Sequence, residues 1–323
     1  MLRLPDSWVW DFWFADDGER FHLFFLYASR ALHDPERRHY RAQIGHAVSA
    51  DLRSWERIED ALVRSDAPAF DDLATWTGST VRGDDGLWRL FYTGSTRGEA
   101  PGSNIQRIGC AVSEDLRTFE RVGTEPLLAA DPARHEVLAD GTWHDEAFRD
   151  PWVLPDPDGE GWHMLITARS REQSIPVDDR GIIAHATSPD LVEWTHAEPL
   201  AGPGTGFAQL EVPQVEQVDG QWFLVFSCLG GDMAALHRAA GTPGGVWAAP
   251  ADGPLGPFHL DRVHPLTGRE LYSGRLIRDR DGRWQLLAFE HDGPDGAFVG
   301  TISDPMPVRA LDGRLVVERA AAG

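Results

Sequence analysis

Five times in this chain an Asp-Gly pair precedes a short strand rich in aromatic and branched residues. Asp17-Gly18 leads into Phe21 to Tyr27, Asp85-Gly86 into Trp88 to Thr93, and Asp158-Gly159 into Trp162 to Thr167. Asp219-Gly220 leads into Trp222 to Ser227, and Asp281-Gly282 into Trp284 to Phe289. Successive copies lie about 60 to 75 residues apart, the scale of a four-stranded propeller blade with generous loops. Asp-Gly between two apolar runs signals a hairpin, because both residues tolerate positive φ. Asp140-Gly141 lacks those flanks, so the repeat rests on its surroundings and not on the dipeptide.

A third strand is predicted after each of the first three hairpins, at Gln43 to Val48, Arg107 to Val112 and Gly181 to Thr187. Each ends in a Ser-x-Asp-Leu turn, beginning at Ser49, Ser113 and Ser188. An aromatic then opens a short fourth strand: Trp55, Phe119 and Trp194. Gly253 to Phe258 takes this role in the fourth unit, and Ser303-Asp304-Pro305 in the fifth. Short strands, Gly- and Pro-rich turns and the lack of helical periodicity read as all-β. The expectation is one domain over residues 1–323, a five-bladed β-propeller with four antiparallel strands per blade. A β-sandwich, or two β domains, would explain the strands but not five near-equal copies. The loops Ala28 to Arg41, Gly94 to Gln106 and Ser170 to Arg180 are expected to decorate one end.

Composition removes several functions. All 30 basic residues are arginine, which excludes a P-loop lysine and a lysine Schiff base. The formal charge of −21 repels nucleic acid and anionic membranes. Cys110 and Cys228 fit no zinc spacing and no disulfide framework, and read as buried small hydrophobes. The N-terminus lacks the apolar core of a signal peptide, so the cytoplasm is the expected location.

Trp8-Val9-Trp10-Asp11-Phe12-Trp13 places one carboxylate inside an apolar run, where an unpaired charge is costly. A lone Asp there is usually a satisfied structural residue, but this one has counterparts. The first strand of a blade lines the central channel, and here it precedes the Asp-Gly hairpin by a few residues. Counted back from each hairpin, Asp11, Ser79, Asp150, Glu211 and Ser273 hold the equivalent place. Three carboxylates then converge at one channel mouth. Converging carboxylates repel and push their pKa values apart, which yields one ionised and one protonated group at the same pH. They could instead bind a divalent cation. Pro213, two places after Glu211, and Arg149, a cation beside Asp150, argue against that, so neither metal nor cofactor is expected. Nearby tryptophans favour a sugar, whose C–H face stacks on aromatic rings, although most of the 13 belong to blade cores. Trp10, Trp13, Trp76, Ser79, Arg149, Gln214 and Tyr272 are the candidate binding residues for a small saccharide.

Four motifs in order carry a family resemblance. Trp10-Asp11-Phe12-Trp13 resembles the W-D-x-W of the nucleophile strand in glycoside hydrolase family 68, the levansucrases. Trp76-Thr77-Gly78-Ser79 is similar to the W-[ST]-G-S of families 32 and 68, and Phe148-Arg149-Asp150-Pro151 to the F-R-D-P of both. Glu211-Val212-Pro213-Gln214 is similar to the E-R-P-[HQ] of family 68. Phe298-Val299-Gly300 with Ser303-Asp304-Pro305 resembles the end of a family 32 catalytic domain. The resemblance implies a retaining β-fructosidase or fructosyltransferase. Asp11 would be the nucleophile, Asp150 the transition-state stabiliser and Glu211 the general acid/base. Ser79 would hold Asp11 by a hydrogen bond, and Arg149 would bind sugar hydroxyls. The pattern departs in three ways: the Asn-Asp-Pro of family 32 is absent, no room is left for that family's C-terminal β-sandwich, and Val212 replaces arginine near the acceptor side.

Two other functions stay open at this point. A family 43-like arabinosidase or xylosidase also uses two aspartates and a glutamate, but inverts configuration through a water. A sugar-binding propeller without turnover would keep the pocket alone.

Overall fold

A computed structural model describes residues 1–318. Five antiparallel sheets form the blades of a propeller. Their inner strands are Ser7–Asp16, Ala74–Arg82, Phe148–Pro155, Glu211–Val218 and Leu271–Arg278. Each contacts the next, and the fifth contacts the first, so the ring closes. The second strands fall where the Asp-Gly hairpins place them: Phe21–Ser29, Trp88–Arg97, Trp162–Arg169, Gln221–Cys228 and Trp284–Asp292. In four hairpins the Asp-Gly glycine sits at positive φ, from 78° at Gly282 to 93° at Gly18, as the tight turn requires. In the third, Gly161 takes that conformation instead of Gly159.

The Ser-x-Asp-Leu turns are built alike. In the first, Asp51 Oδ1 accepts from the backbone N–H groups of Arg53 and Ser54 at 2.8 and 2.7 Å, while Ser49 donates to it at 2.9 Å. This pins Leu52, Leu116 and Leu191 at φ between 59° and 66°. The strain is tolerated because each leucine is buried: Leu116 joins the core shared by blades 5, 1 and 2, and Leu191 that of blades 2 and 3. Apolar clusters between neighbouring blades thus replace a single central core.

Two blades exceed the expected four strands. In blade 2 Leu128–Ala129 adds to the outer end of the third strand. In blade 5 Ser303-Asp304-Pro305 splits the third strand into Phe298–Ile302 and Met306–Leu311, because proline cannot donate to the ladder. The fourth strand of blade 4 is His264–Pro265, beyond the Gly253 to Phe258 segment, which contributes one bridge from Phe258 to Ala251. Arg314–Val317 pairs within blade 5, so among the described residues no strand is exchanged at the seam. Leu2 instead makes two backbone bonds to Ile302 across it. Among the described residues no helix is long and apolar enough to cross a membrane. Both cysteines are buried thiols.

Candidate active site

All five inner strands break register at the same level. The breaks fall between Trp10 and Phe12, Trp76 and Gly78, Arg149 and Trp152, Glu211 and Gln214, and Tyr272 and Arg275. Each break is a β-bulge, which turns a side chain out of the strand's alternation. The bulged positions are Asp11, Thr77, Asp150, Val212 and Ser273. Gly78 completes the second bulge, because a Cβ there would lie 1.8 Å from the Phe91 carbonyl oxygen. Asp150, Val212 and Ser273 adopt φ of 57°, 54° and 49°. For a branched valine this conformation is costly, on the order of 1–3 kcal/mol, and it persists where the surroundings enforce it.

The bulges correct the register counted from the hairpins. Thr77, not Ser79, is the blade 2 equivalent of Asp11, and Glu211 stands one place before its bulge. Ser79 lies deeper, where its Oγ accepts from the Val153 N–H at 3.1 Å, and it makes no bond to Asp11. Asp11 is held instead by hydroxyls from its two neighbouring blades. Thr77 Oγ1 donates to Oδ2 at 2.9 Å and Ser273 Oγ donates to Oδ1.

Asp150 is 2% exposed and fixed by the Val212 N–H at 3.1 Å and by Arg149 Nε at 3.3 Å. Its own N–H donates to Thr93 Oγ1 on the next blade. Burial raises its pKa and Asp11 adds to this, while Arg149 and the Val212 N–H oppose it; the net direction is upward.

Glu211 has a side chain 17% exposed. Arg149 Nη2 reaches Oε1 at 2.5 Å, and the Tyr272 hydroxyl donates to Oε2. Burial pushes its pKa up to about 7. Arg149 and Tyr272 pull it down, and Asp232 and Asp150 push it further up. Arg149 itself is held by three more partners, Asp150, Gln106 at 3.2 Å and Gln209.

These groups lie in a recess of about 560 Å³ at one channel mouth. Asp11, Asp150, Glu211, Trp10, Trp76, Arg149 and Tyr272 all line it. Three of the expected binding residues do not: Ser79, already placed deeper, Trp13 and Gln214. Trp13 is fully buried, stacked on Phe24 and bonded through Nε1 to Thr80 Oγ1 at 2.9 Å. Strand alternation puts it on the blade core. Gln214 is buried as well: its side-chain amide exchanges two 2.8 Å bonds with the Leu276 backbone and joins blades 4 and 5.

Loops complete the recess. Ala28 to Arg41 forms two 3-10 turns, Arg30–Leu32 and Pro35–Tyr40, and brings Arg38 and His39 to the rim. Trp76 Nε1 donates to the His39 carbonyl at 2.9 Å. Gly94 to Gln106 is mostly strand extension, with Asn104 and Gln106 in the wall. Ser170 to Arg180 stays out of the wall and buries Arg180 against Glu136, which also receives Arg169 at 2.5 Å. His144, Asp145, Gln209, Asp232 and His291 were not expected from the sequence. They sit on loops or strand ends whose local composition carries no periodic signal. Among the described residues no group of three or more His, Cys, Asp or Glu side chains is arranged to hold a metal ion.

Five blades around a channel, with three carboxylates and two tryptophans at one mouth, place the molecule among the carbohydrate-type five-bladed propellers. Residues 13–246 match the glycosyl hydrolases family 32 N-terminal domain, and the chain belongs to that family. The matched segment includes Asp150 and Glu211 and starts two residues after Asp11. The chain is 28% identical over 287 residues to a raffinose invertase of Escherichia coli, covering 84% of this chain and 54% of that protein. It is 29% identical over 235 residues to a sucrose-6-phosphate hydrolase of Escherichia coli, covering 70% and 42%. The chain thus spans about half the length of the curated relatives it matches. Among solved structures, an inulosucrase from Halalkalicoccus jeotgali bound to kestose superposes with a TM-score of 0.78 at 23% identity. That alignment covers 98% of this chain and 90% of the other, and it supports the fold.

Proposed function

We propose that this protein cleaves or transfers β-fructofuranosyl groups from sucrose or fructo-oligosaccharides, with retention of configuration. One observation carries the reading. Asp11 is oriented through both oxygens by hydroxyls, while Glu211, in the same recess, is buried enough to hold a proton near pH 7. The first suits a nucleophile and the second a general acid. The names of the relatives point the same way.

In the first step Glu211 donates its proton to the leaving oxygen as Asp11 Oδ attacks the anomeric carbon. The C–O bond to the leaving group breaks and a fructosyl–Asp11 ester forms. Asp150 faces the oxocarbenium-like charge of the transition state and stabilises it without bonding. In the second step Glu211, now ionised, takes a proton from water or from a sugar hydroxyl. That oxygen attacks the anomeric carbon and Asp11 leaves. Arg149 keeps the Glu211 carboxylate in place in both protonation states and presents donors to sugar hydroxyls. Trp10 and Trp76 offer faces to the ring.

The test is incubation with sucrose and with inulin-type and levan-type oligosaccharides, with products resolved by chromatography and their anomeric configuration read by NMR. Release or transfer of fructose with retention is the expected result. Inversion would favour a water between the carboxyls, as in family 43. Binding without turnover would mean a lectin-like propeller.

A further inference from the structure

Arg275 is a buried channel arginine that the mechanism above leaves unused. It follows the fifth bulge and is 1% exposed. Among the described residues no carboxylate lies within salt-bridge distance of it; its partners are backbone carbonyls from two other blades. Nε donates to the Phe12 carbonyl at 3.1 Å. Nη1 donates to the carbonyls of Val212 and Pro213 at 3.3 and 2.9 Å. Nη2 has no hydrogen-bond partner, and the guanidinium carbon stands 5.3 Å from the Trp152 ring of blade 3. One side chain of blade 5 thus joins blade 1 to blade 4 and touches blade 3.

The anchor points are not arbitrary. Phe12 follows Asp11, and Val212 follows Glu211. The guanidinium is a rigid planar fork, so it fixes the spacing of the two carbonyls it spans. Burying a guanidinium without an ion-pair partner is expensive, and a ring closed for stability alone could use an apolar side chain there. Burial does lower its pKa to about 10, against the opposing pull of Asp150, Asp11 and Glu216.

Resting on the fructosidase reading, we propose that Arg275 is a positioning residue for catalysis: by bridging the Phe12 and Val212–Pro213 carbonyls it sets the separation of Asp11 from Glu211. A retaining mechanism depends on that separation, about 5–5.5 Å between carboxyls, and small misplacements are costly in rate. Thr77 and Ser273 set the direction in which Asp11 points, and Arg275 sets how far its strand lies from that of Glu211.

The test uses the full chain and a β-fructofuranoside that the wild type turns over. Arg275→Met keeps the bulk and loses the fork; Arg275→Lys keeps the charge and can reach only one side of the bridge. Arg275→Met is expected to lower kcat about 100-fold with KM within threefold, and Arg275→Lys to recover part of the loss. A Met variant that melts earlier but keeps kcat within threefold of wild type would show a purely structural bridge and overturn the proposal. If the Met variant does not fold, the Lys variant decides alone: a kcat loss of tenfold or more at unchanged KM supports positioning, and wild-type kcat overturns it. A wild type inert on every β-fructofuranoside overturns the fructosidase reading and this proposal with it. Turnover by the wild type with no kcat effect in either variant overturns this proposal only.

Discussion

The Ser273 hydroxyl donates to Asp11 Oδ1 although the two residues stand 262 positions apart in the chain. The bond crosses the seam where blade 5 meets blade 1, so one side of the Asp11 carboxylate is set only when the ring closes. Thr77 sets the other side from blade 2. Ser273→Ala and Thr77→Val are each expected to lower kcat about 10- to 100-fold with little change in KM, because both free the carboxylate to rotate away from its line of attack. Ser79→Ala makes the contrast. It removes the acceptor of the Val153 N–H, costs about 1–3 kcal/mol of stability, and leaves kcat of the folded protein near wild type. Steady-state kinetics with a parallel thermal melt separates the two outcomes; equal kcat losses at Ser79 and Ser273 would refute the geometry.

The three carboxylates are expected to respond differently to removal. Asp11→Ala abolishes turnover of every substrate. Glu211→Ala retains turnover of substrates with good leaving groups, which need no proton in the first step. Asp150→Asn lowers kcat by orders of magnitude with KM little changed, since the lost interaction belongs to the transition state. Comparing sucrose with an aryl fructoside for all three variants checks the assignment. Equal loss on both substrates in Glu211→Ala would refute the acid role.

Glu211 must be protonated to act as the acid, so kcat/KM should fall as pH rises through about 7. Two substitutions should move that limb in opposite directions. The Tyr272 hydroxyl stabilises the ionised form, so Tyr272→Phe raises the pKa and moves the limb to higher pH. Asp232 disfavours the ionised form, so Asp232→Asn moves it to lower pH. A limb that stays in place in both variants would mean another group controls it.

Further down the same strand, burial pushes Glu216 up to about 7 as well. Its folded pKa lies above the ordinary value, so its contribution to stability is fully present at acid pH and is lost as pH rises through about 7. Glu216→Gln should therefore raise Tm at pH 8 and leave it nearly unchanged at pH 4. The bond from Gln214 Nε2 survives the change, because the glutamine oxygen still accepts it. An equal shift at both pH values would argue against titration of Glu216.

The tryptophans divide by position. Trp76→Ala, at the recess wall, is expected to raise KM with modest loss of Tm. Trp13→Ala is expected to cost about 3–5 kcal/mol, because it empties a fully buried site and strands Thr80. Substrate titration and chemical denaturation read the two effects separately.

The repeat was legible because a hairpin is local. Asp-Gly needs only its own backbone freedom, and an aromatic strand needs only one buried face. Five copies therefore announced five blades, and Asp11, Asp150 and Glu211 stood out as charges in apolar runs. Trp10 and Arg149 adjoin those charges in sequence, and Trp76 and Tyr272 lie beside the equivalent places counted at Ser79 and Ser273. Ser79, Trp13 and Gln214 were misplaced for one shared reason: side-chain direction along the inner strands depends on where the bulge falls. Counting from the hairpin cannot locate an inserted residue.

The sequence alone determined the blades, their order and the presence of three carboxylates on inner strands, since each depends on contacts within about ten residues. Only the tertiary structure decided which hydroxyls hold Asp11, which charges raise Glu211 and which loops wall the recess. The closed ring alone brings Ser273 to Asp11 and Arg275 between Phe12 and Val212, while Asp232 reaches Glu211 on a loop of its own blade, far from it in sequence.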